Sequence, residues 1–139
     1  MEIKPYIRKT QYYETDQMGI IHHANYIRWF EEARTDFMEQ LGFTYKNAED
    51  ASVSFAVLSV SAEYKSMIRY GETVKIYSRI TAMTPARMTV AYRIEDSETG
   101  QLRTVGESGH CYMGRQGRPV NLKRTLPRLY DLFAGTLSG

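Results

Sequence analysis

The sequence has one cysteine, Cys111, in 139 residues. A single thiol forms no intrachain disulfide and excludes a four-cysteine zinc site, which fits a reducing compartment. Charge of one sign is lacking too: 18 Lys and Arg face 16 Asp and Glu, for a formal charge of +2. A nonspecific nucleic-acid or anionic-membrane binder ordinarily carries a larger excess of cations. No nucleic-acid partner and no stable membrane insertion are therefore expected. No stretch approaches the ~18 uninterrupted apolar residues of a spanning helix. The opening MEIKPYIRKTQYYETDQ has no apolar signal core, so a cytoplasmic protein is expected. Only four prolines are present, and no Pro/Gly/Ser-rich linker, internal repeat or low-complexity segment interrupts the chain, so residues 1–139 are read as a single domain.

What is present is periodicity. Tyr6 to Tyr13 is rich in β-branched and aromatic residues and reads as a first strand ending near Glu14. Tyr26, Trp29, Phe30, Ala33, Phe37 and Leu41 recur at steps of three and four, with Arg28, Glu31, Glu32, Arg34, Asp36 and Glu39 between them. That spacing predicts an amphipathic helix over about residues 24–41, with Asn25 as N-cap and Gly42 as C-terminal stop. From residue 53 the pattern is that of strands: Val53 to Tyr64, Thr73 to Ala82, Met88 to Glu95 and Leu102 to Met113. Their short connections predict antiparallel neighbours. Leu126 to Phe133 reads as a short terminal helix.

One helix against five antiparallel strands is an α+β design in which the sheet curls around the helix. A single helix does not cover five strands. Phe55, Val57, Leu58 and Val60 place apolar side chains on both faces of the second strand, which favours association with another copy.

Reactive side chains are densest between Tyr12 and Tyr26. A carboxylate ahead of a helix N-terminus serves as nucleophile or general base, and the free amides of the first helical turn stabilise a developing oxyanion. Asp16 is the carboxylate, and Gly19 permits the tight turn that brings the chain back. The plainer reading of Asp16 is a turn or capping residue, and that of Tyr12 and Tyr13 is strand packing. His22, His23 and His110 are the only histidines, and neither an i, i+4 pair nor a Cys/His spacing is present, so no metal is expected. His110 and Cys111 alternate to opposite faces of their strand and form no pair. Gly106 and Gly109 fit no phosphate-loop motif, so no nucleotide cofactor is expected.

The pattern Tyr12-x-Glu14-Thr15-Asp16-x-x-Gly19-x-x-x-His23-x-Asn25-Tyr26-x-x-Trp29-Phe30-Glu31-x-Ala33-Arg34 resembles the N-terminal signature of the hot-dog-fold acyl-CoA thioesterases. The resemblance is to the 4-hydroxybenzoyl-CoA thioesterase family and its Tol-Pal-associated branch. It continues through Glu63-Tyr64-Lys65, Tyr70-Gly71-Glu72 and Gly117-Arg118-Pro119. It implies a long central helix wrapped by a curved five-stranded antiparallel sheet. It also implies a catalytic carboxylate at Asp16, attacking the thioester directly or activating water, and an oxyanion-polarising amide at or near His23, whose imidazole matches the branch histidine. Glu14 stands where many members carry Asp, one methylene shorter.

By the same resemblance, Tyr12, Gly19, Asn25, Tyr26, Lys65 and Arg69 line the substrate site. Lys65, Arg69, Arg115, Arg118, Lys123, Arg124 and Arg128 are candidates for the coenzyme A phosphates, or else a solvated basic surface. The implied partners are an acyl-CoA or acyl-carrier-protein substrate and further copies of the chain, as a homodimer or homotetramer. No cofactor is implied. A noncatalytic thioester-binding protein is the alternative from another class.

Overall fold

Apolar periodicity translates directly into architecture in the computed structural model, which describes residues 2–137. The strands are β1 (Tyr6–Lys9), β2 (Ser54–Tyr64), β3 (Thr73–Met83), β4 (Arg87–Asp96) and β5 (Leu102–Met113). They form one antiparallel sheet in the order β1-β3-β4-β5-β2. Helix α1 (Ala24–Leu41) packs on one face of it, and every residue of its expected stripe is buried. Gly42 ends α1 in the left-handed region at φ 81°, where its N–H reaches the Glu39 and Met38 carbonyls. Helices α2 (Tyr45–Asp50), α3 (Leu122–Thr125) and α4 (Pro127–Ala134) complete the described residues. Leu122, Leu129 and Phe133 are fully buried against the same core. The α+β hot-dog architecture is as expected, and no helix among the described residues is long and apolar enough to cross a membrane.

Four local expectations are corrected. The first strand stops at Lys9, and Tyr12–Glu14 is a 3-10 turn closed by the Thr15 N–H on the Tyr12 carbonyl. Tyr12 and Tyr13 are 75% and 76% exposed and pack in no sheet. Asn25 is not the N-cap: it lies inside α1, and its side-chain amide donates to the Glu14 and His22 carbonyls. β2 and β3 are not neighbours, because β2 pairs with β5 at the far edge. Residues 65–72 carry the chain across the ends of β5 and β4, held by Lys65 and Ser66 N–H groups on the Arg103 carbonyl and by Arg103 on Glu72 and Asp96. Backbone N–H groups of Thr99 and Glu98, with Arg103, hold the Asp96 carboxyl well below the usual carboxylate range.

The fourth correction concerns the faces of β2. A bulge between Val57 and Ser59 breaks the alternation, so Phe55, Val57 and Val60 lie opposite Tyr112, His110 and Ser108. These partners are all buried against the helix side. The apolar run therefore points mostly to one face, with Leu58 at the bulge.

The first strand, the loop after it and the helix are bolted together by one buried carboxylate. Glu14 Oε1 accepts from the Gln11 N–H and Arg8 Nη1, and Oε2 accepts from Arg8 Nη2 and Trp29 Nε1, the last two at 2.8 Å. Glu14 and Trp29 are 2% and 0% exposed. Buried charge is tolerated because all of these donors converge on it.

Two measurements test this packing. Glu14→Ala leaves the Trp29 N–H without an acceptor, and we expect a loss of at least about 2 kcal/mol in urea unfolding; an unchanged midpoint contradicts the assignment. Gly106 faces Phe30 so closely that an added Cβ meets its ring at 2.5 Å and the Ser61 carbonyl oxygen at 2.8 Å. Gly106→Ala is expected to destabilise by about 1–3 kcal/mol in the same assay.

Candidate active site

The segment between β1 and α1 is a narrow antiparallel ladder. His22 N–H donates to the Glu14 carbonyl, Thr15 bridges Ile21, and Asp16 N–H donates to the Ile20 carbonyl at 2.9 Å. The tip is a tight turn, closed by the Gly19 N–H on the Asp16 carbonyl, with Gly19 at φ 76°. That left-handed conformation explains glycine at this position.

The turn orients the Asp16 carboxylate. Its Oδ1 accepts from the Met18 N–H at 2.7 Å and the Ile20 N–H at 3.4 Å, while Oδ2 has no partner among the described residues. One oxygen is therefore anchored and the other is free, on a half-buried side chain. The plainer reading of Asp16 as a turn residue is correct for Oδ1 and leaves Oδ2 unaccounted for.

The helix start is equally specific. Ala24 N–H donates to His22 Nδ1, Asn25 N–H to the His22 carbonyl and Tyr26 N–H to the His23 carbonyl. With His22 N–H committed to Glu14, the His23 N–H is the one backbone donor from 22 to 26 without a partner among the described residues. It stands at the head of an 18-residue helix, where the aligned peptide dipoles favour negative charge. The His22 and His23 rings stack at 4.2 Å and are exposed.

The other expected site residues divide into two groups. Tyr12 and Arg69 lie at the surface beside the ladder: Tyr12 packs edge-on against Tyr70 at 5.5 Å, and Arg69 bridges Ile20 through its backbone. Lys65 is exposed and sits 3.4 Å from the Glu63 carboxylate. Asn25 and Tyr26 are instead buried. Asn25 ties the helix to the ladder, and the Tyr26 ring packs at a tilt against Trp29 and Tyr64, with centroids 5.3 and 4.8 Å away. Burial pushes the Tyr26 hydroxyl up to about 12, so it stays protonated at neutral pH. Of the distant basic candidates, Arg115 bonds Ser52 and Lys123 lies over Tyr130, both engaged elsewhere.

Two aromatic residues not expected at the site belong to this surface. Tyr64 Oη donates to the His23 carbonyl at 3.4 Å, and Tyr70 flanks Tyr12. The crossover places both there, a long-range arrangement that local patterning does not report. Among the described residues no group of three or more His, Cys, Asp or Glu is placed to hold a metal ion.

Comparison with known proteins bears on the family and the fold. The chain is 32% identical over 126 residues to a putative acyl-CoA thioesterase, YneP, of Bacillus subtilis, covering 90% of this chain and 91% of that one. It is 28% identical over 90 residues to the acyl-CoA thioester hydrolase YbgC of Escherichia coli, covering 65% and 67%. The crystal structure of a DHNA-CoA thioesterase from Staphylococcus aureus superposes with a TM-score of 0.92 at 30% identity, over 97% of this chain and 91% of that one. The family profile described as the thioesterase-like superfamily matches residues 10–129. With the anchored carboxylate, the free helix-start amide and the hot-dog sheet all inside that span, the chain belongs to the thioesterase-like superfamily.

Proposed function

We propose that this protein hydrolyses acyl-CoA thioesters to the free acid and coenzyme A. The observation that carries this reading is the pairing of Asp16 Oδ2, free and oriented, with the unpartnered His23 N–H at the head of α1. The amide and the helix dipole stabilise negative charge on the thioester oxygen as the carbonyl is attacked. Oδ2 either attacks the carbonyl carbon, giving a mixed anhydride that water then opens, or removes a proton from an attacking water. Both routes consume one water and release one carboxylic acid and one thiol. Most of the relatives named for a substrate are named for acyl-CoA, which supports coenzyme A as carrier, while one, 25% identical over 80 residues, is named for an acyl-carrier protein. Arg69, exposed beside the ladder, is our candidate cation for the coenzyme's phosphates. His23 supports placement with the Tol-Pal-associated branch.

The site is shared between two copies of the chain. β2 is an 11-residue edge strand paired only on its β5 side, and Val57, Leu58 and Val60 are 55%, 51% and 41% exposed. An edge of that length and character is closed by a second β2. The acyl group then lies between the two chains.

Asp16→Asn is nearly isosteric and keeps an acceptor for Met18 and Ile20, so the fold persists while hydrolysis falls by at least ~10²-fold. Steady-state rates on an acyl-CoA panel, with circular dichroism as folding control, check this; a loss of only a fewfold refutes the role. Light scattering behind size exclusion is expected to give at least twice 16.1 kDa at micromolar protein. A fully active monomer removes the shared site.

A further inference from the structure

A cavity of about 490 Å³ lies between α1, α2 and β2. Arg34 lines it and sits ten residues beyond Ala24, about 15 Å along the helix axis from the candidate active site. Phe55 and Val57 give the cavity an apolar wall, and His110, 1% exposed, also lines it.

Behind that wall runs a hydrogen-bond chain whose direction is set by chemistry. Arg34 Nη1 donates to Tyr92 Oη at 2.9 Å, since a guanidinium has no acceptor. Tyr92 Oη then has one proton, and its only other partner is Ser108 Oγ at 2.6 Å. Ser108 Oγ passes its own proton on to His110 Nε2 at 2.7 Å. Burial, with Arg34 beside it, pushes His110 down to about 4, so the ring is neutral at pH 7. A neutral imidazole that accepts at Nε2 carries its proton on Nδ1. Among the described residues, His110 Nδ1 and Arg34 Nε are both buried without a hydrogen-bond partner. Two side chains lining one cavity therefore each hold an N–H with no acceptor in hydrogen-bond geometry, and Tyr45, on the same lining, is the hydroxyl beside the Arg34 guanidinium. A buried donor left unpaired costs about 1–3 kcal/mol, which an acceptor in the cavity recovers. Glu31 and Glu49 line the same cavity as Arg34, two negative charges against one positive, so a carboxylate is disfavoured relative to an uncharged oxygen.

The geometry points to a second binding site here, for a small apolar group that ends in an uncharged oxygen acceptor, held by the N–H groups of His110 and Arg34. The group is either the far end of a substrate's acyl chain or an independent small molecule. The first source rests on the function proposed above; the site itself does not.

Cyclohexanone and methylenecyclohexane, alike in shape but for the oxygen, are the probes. In amide spectra of the ¹⁵N-labelled full chain, cyclohexanone is expected to move the signals of Arg34 and His110 saturably. The hydrocarbon should bind about three- to tenfold more weakly, the value of one hydrogen bond. Cyclohexanecarboxylate should also bind more weakly, with the gap narrowing in Glu31→Gln/Glu49→Gln. His110→Phe should abolish the preference for the ketone. Ring nitrogen shifts of the unmodified protein should show the Nδ1–H tautomer, a result independent of any variant. Equal binding of the two probes, no saturable shift, or an Nε2–H tautomer overturns the proposal. Competitive inhibition of acyl-CoA hydrolysis by cyclohexanone identifies the acyl chain as source, and binding without effect on KM identifies a separate ligand. Because binding is read directly, an inactive enzyme that still prefers the ketone leaves this site standing and removes only the thioesterase reading.

Discussion

The candidate site depends on the buried Glu14 carboxylate. Arg8 on β1, the Gln11 amide and Trp29 on α1 all donate to it, while the Glu14 carbonyl receives the His22 N–H and the Asn25 side chain. The ladder from 14 to 22 is thereby pinned at its base from three directions. An ionised carboxylate in the core is very costly unless every lone pair is met, so the arrangement has little freedom to relax. The extra methylene that distinguishes Glu14 from the Asp common in the resembling family is part of the side chain that spans Arg8 and Trp29. Glu14 thereby tethers strand, loop and helix to one another.

With the base fixed, the tip and the return of the ladder acquire their chemistry from backbone geometry. Gly19 allows the turn that directs the Met18 and Ile20 amides at Asp16 Oδ1, and the return delivers His23 to the head of α1. The α1 stripe, fully buried against the sheet, holds that helix end in place. Rigid scaffolding of a loop by strand and helix is what a preorganised oxyanion site requires, since donors that need not reorganise lower the barrier most.

Polar groups inside the sheet–helix interface follow a different rule. Arg34, Tyr92, Ser108 and His110 satisfy one another in a line yet end in two unused donors beside a cavity and the open β2 edge. The exposed apolar residues of β2 lie along the same edge. The head of α1 and the β2 edge are thus two places where the single chain leaves its own interactions incomplete.

The sequence by itself determined the elements and the chemically active segment. The three- and four-residue spacing from Tyr26 to Leu41 defined α1 and its buried face, alternation located β3 to β5 within a residue or two, and Asp16, Gly19 and His23 stood out because reactive types and a turn residue fell just before a helix. These are local signals, carried by neighbours within one or two turns. Tertiary structure alone decided the rest. Strand order, and with it the placing of β2 beside β5 rather than β3, depends on which distant edges pair. The bulge at Leu58 set which face its valines occupy. Asn25 moved from cap to tether because the Glu14 carbonyl, eleven residues away, became its partner. Which oxygen of Asp16 is free, and which amide of the helix start is unused, follows from a complete account of hydrogen bonds, and that account closes only once remote segments are in contact.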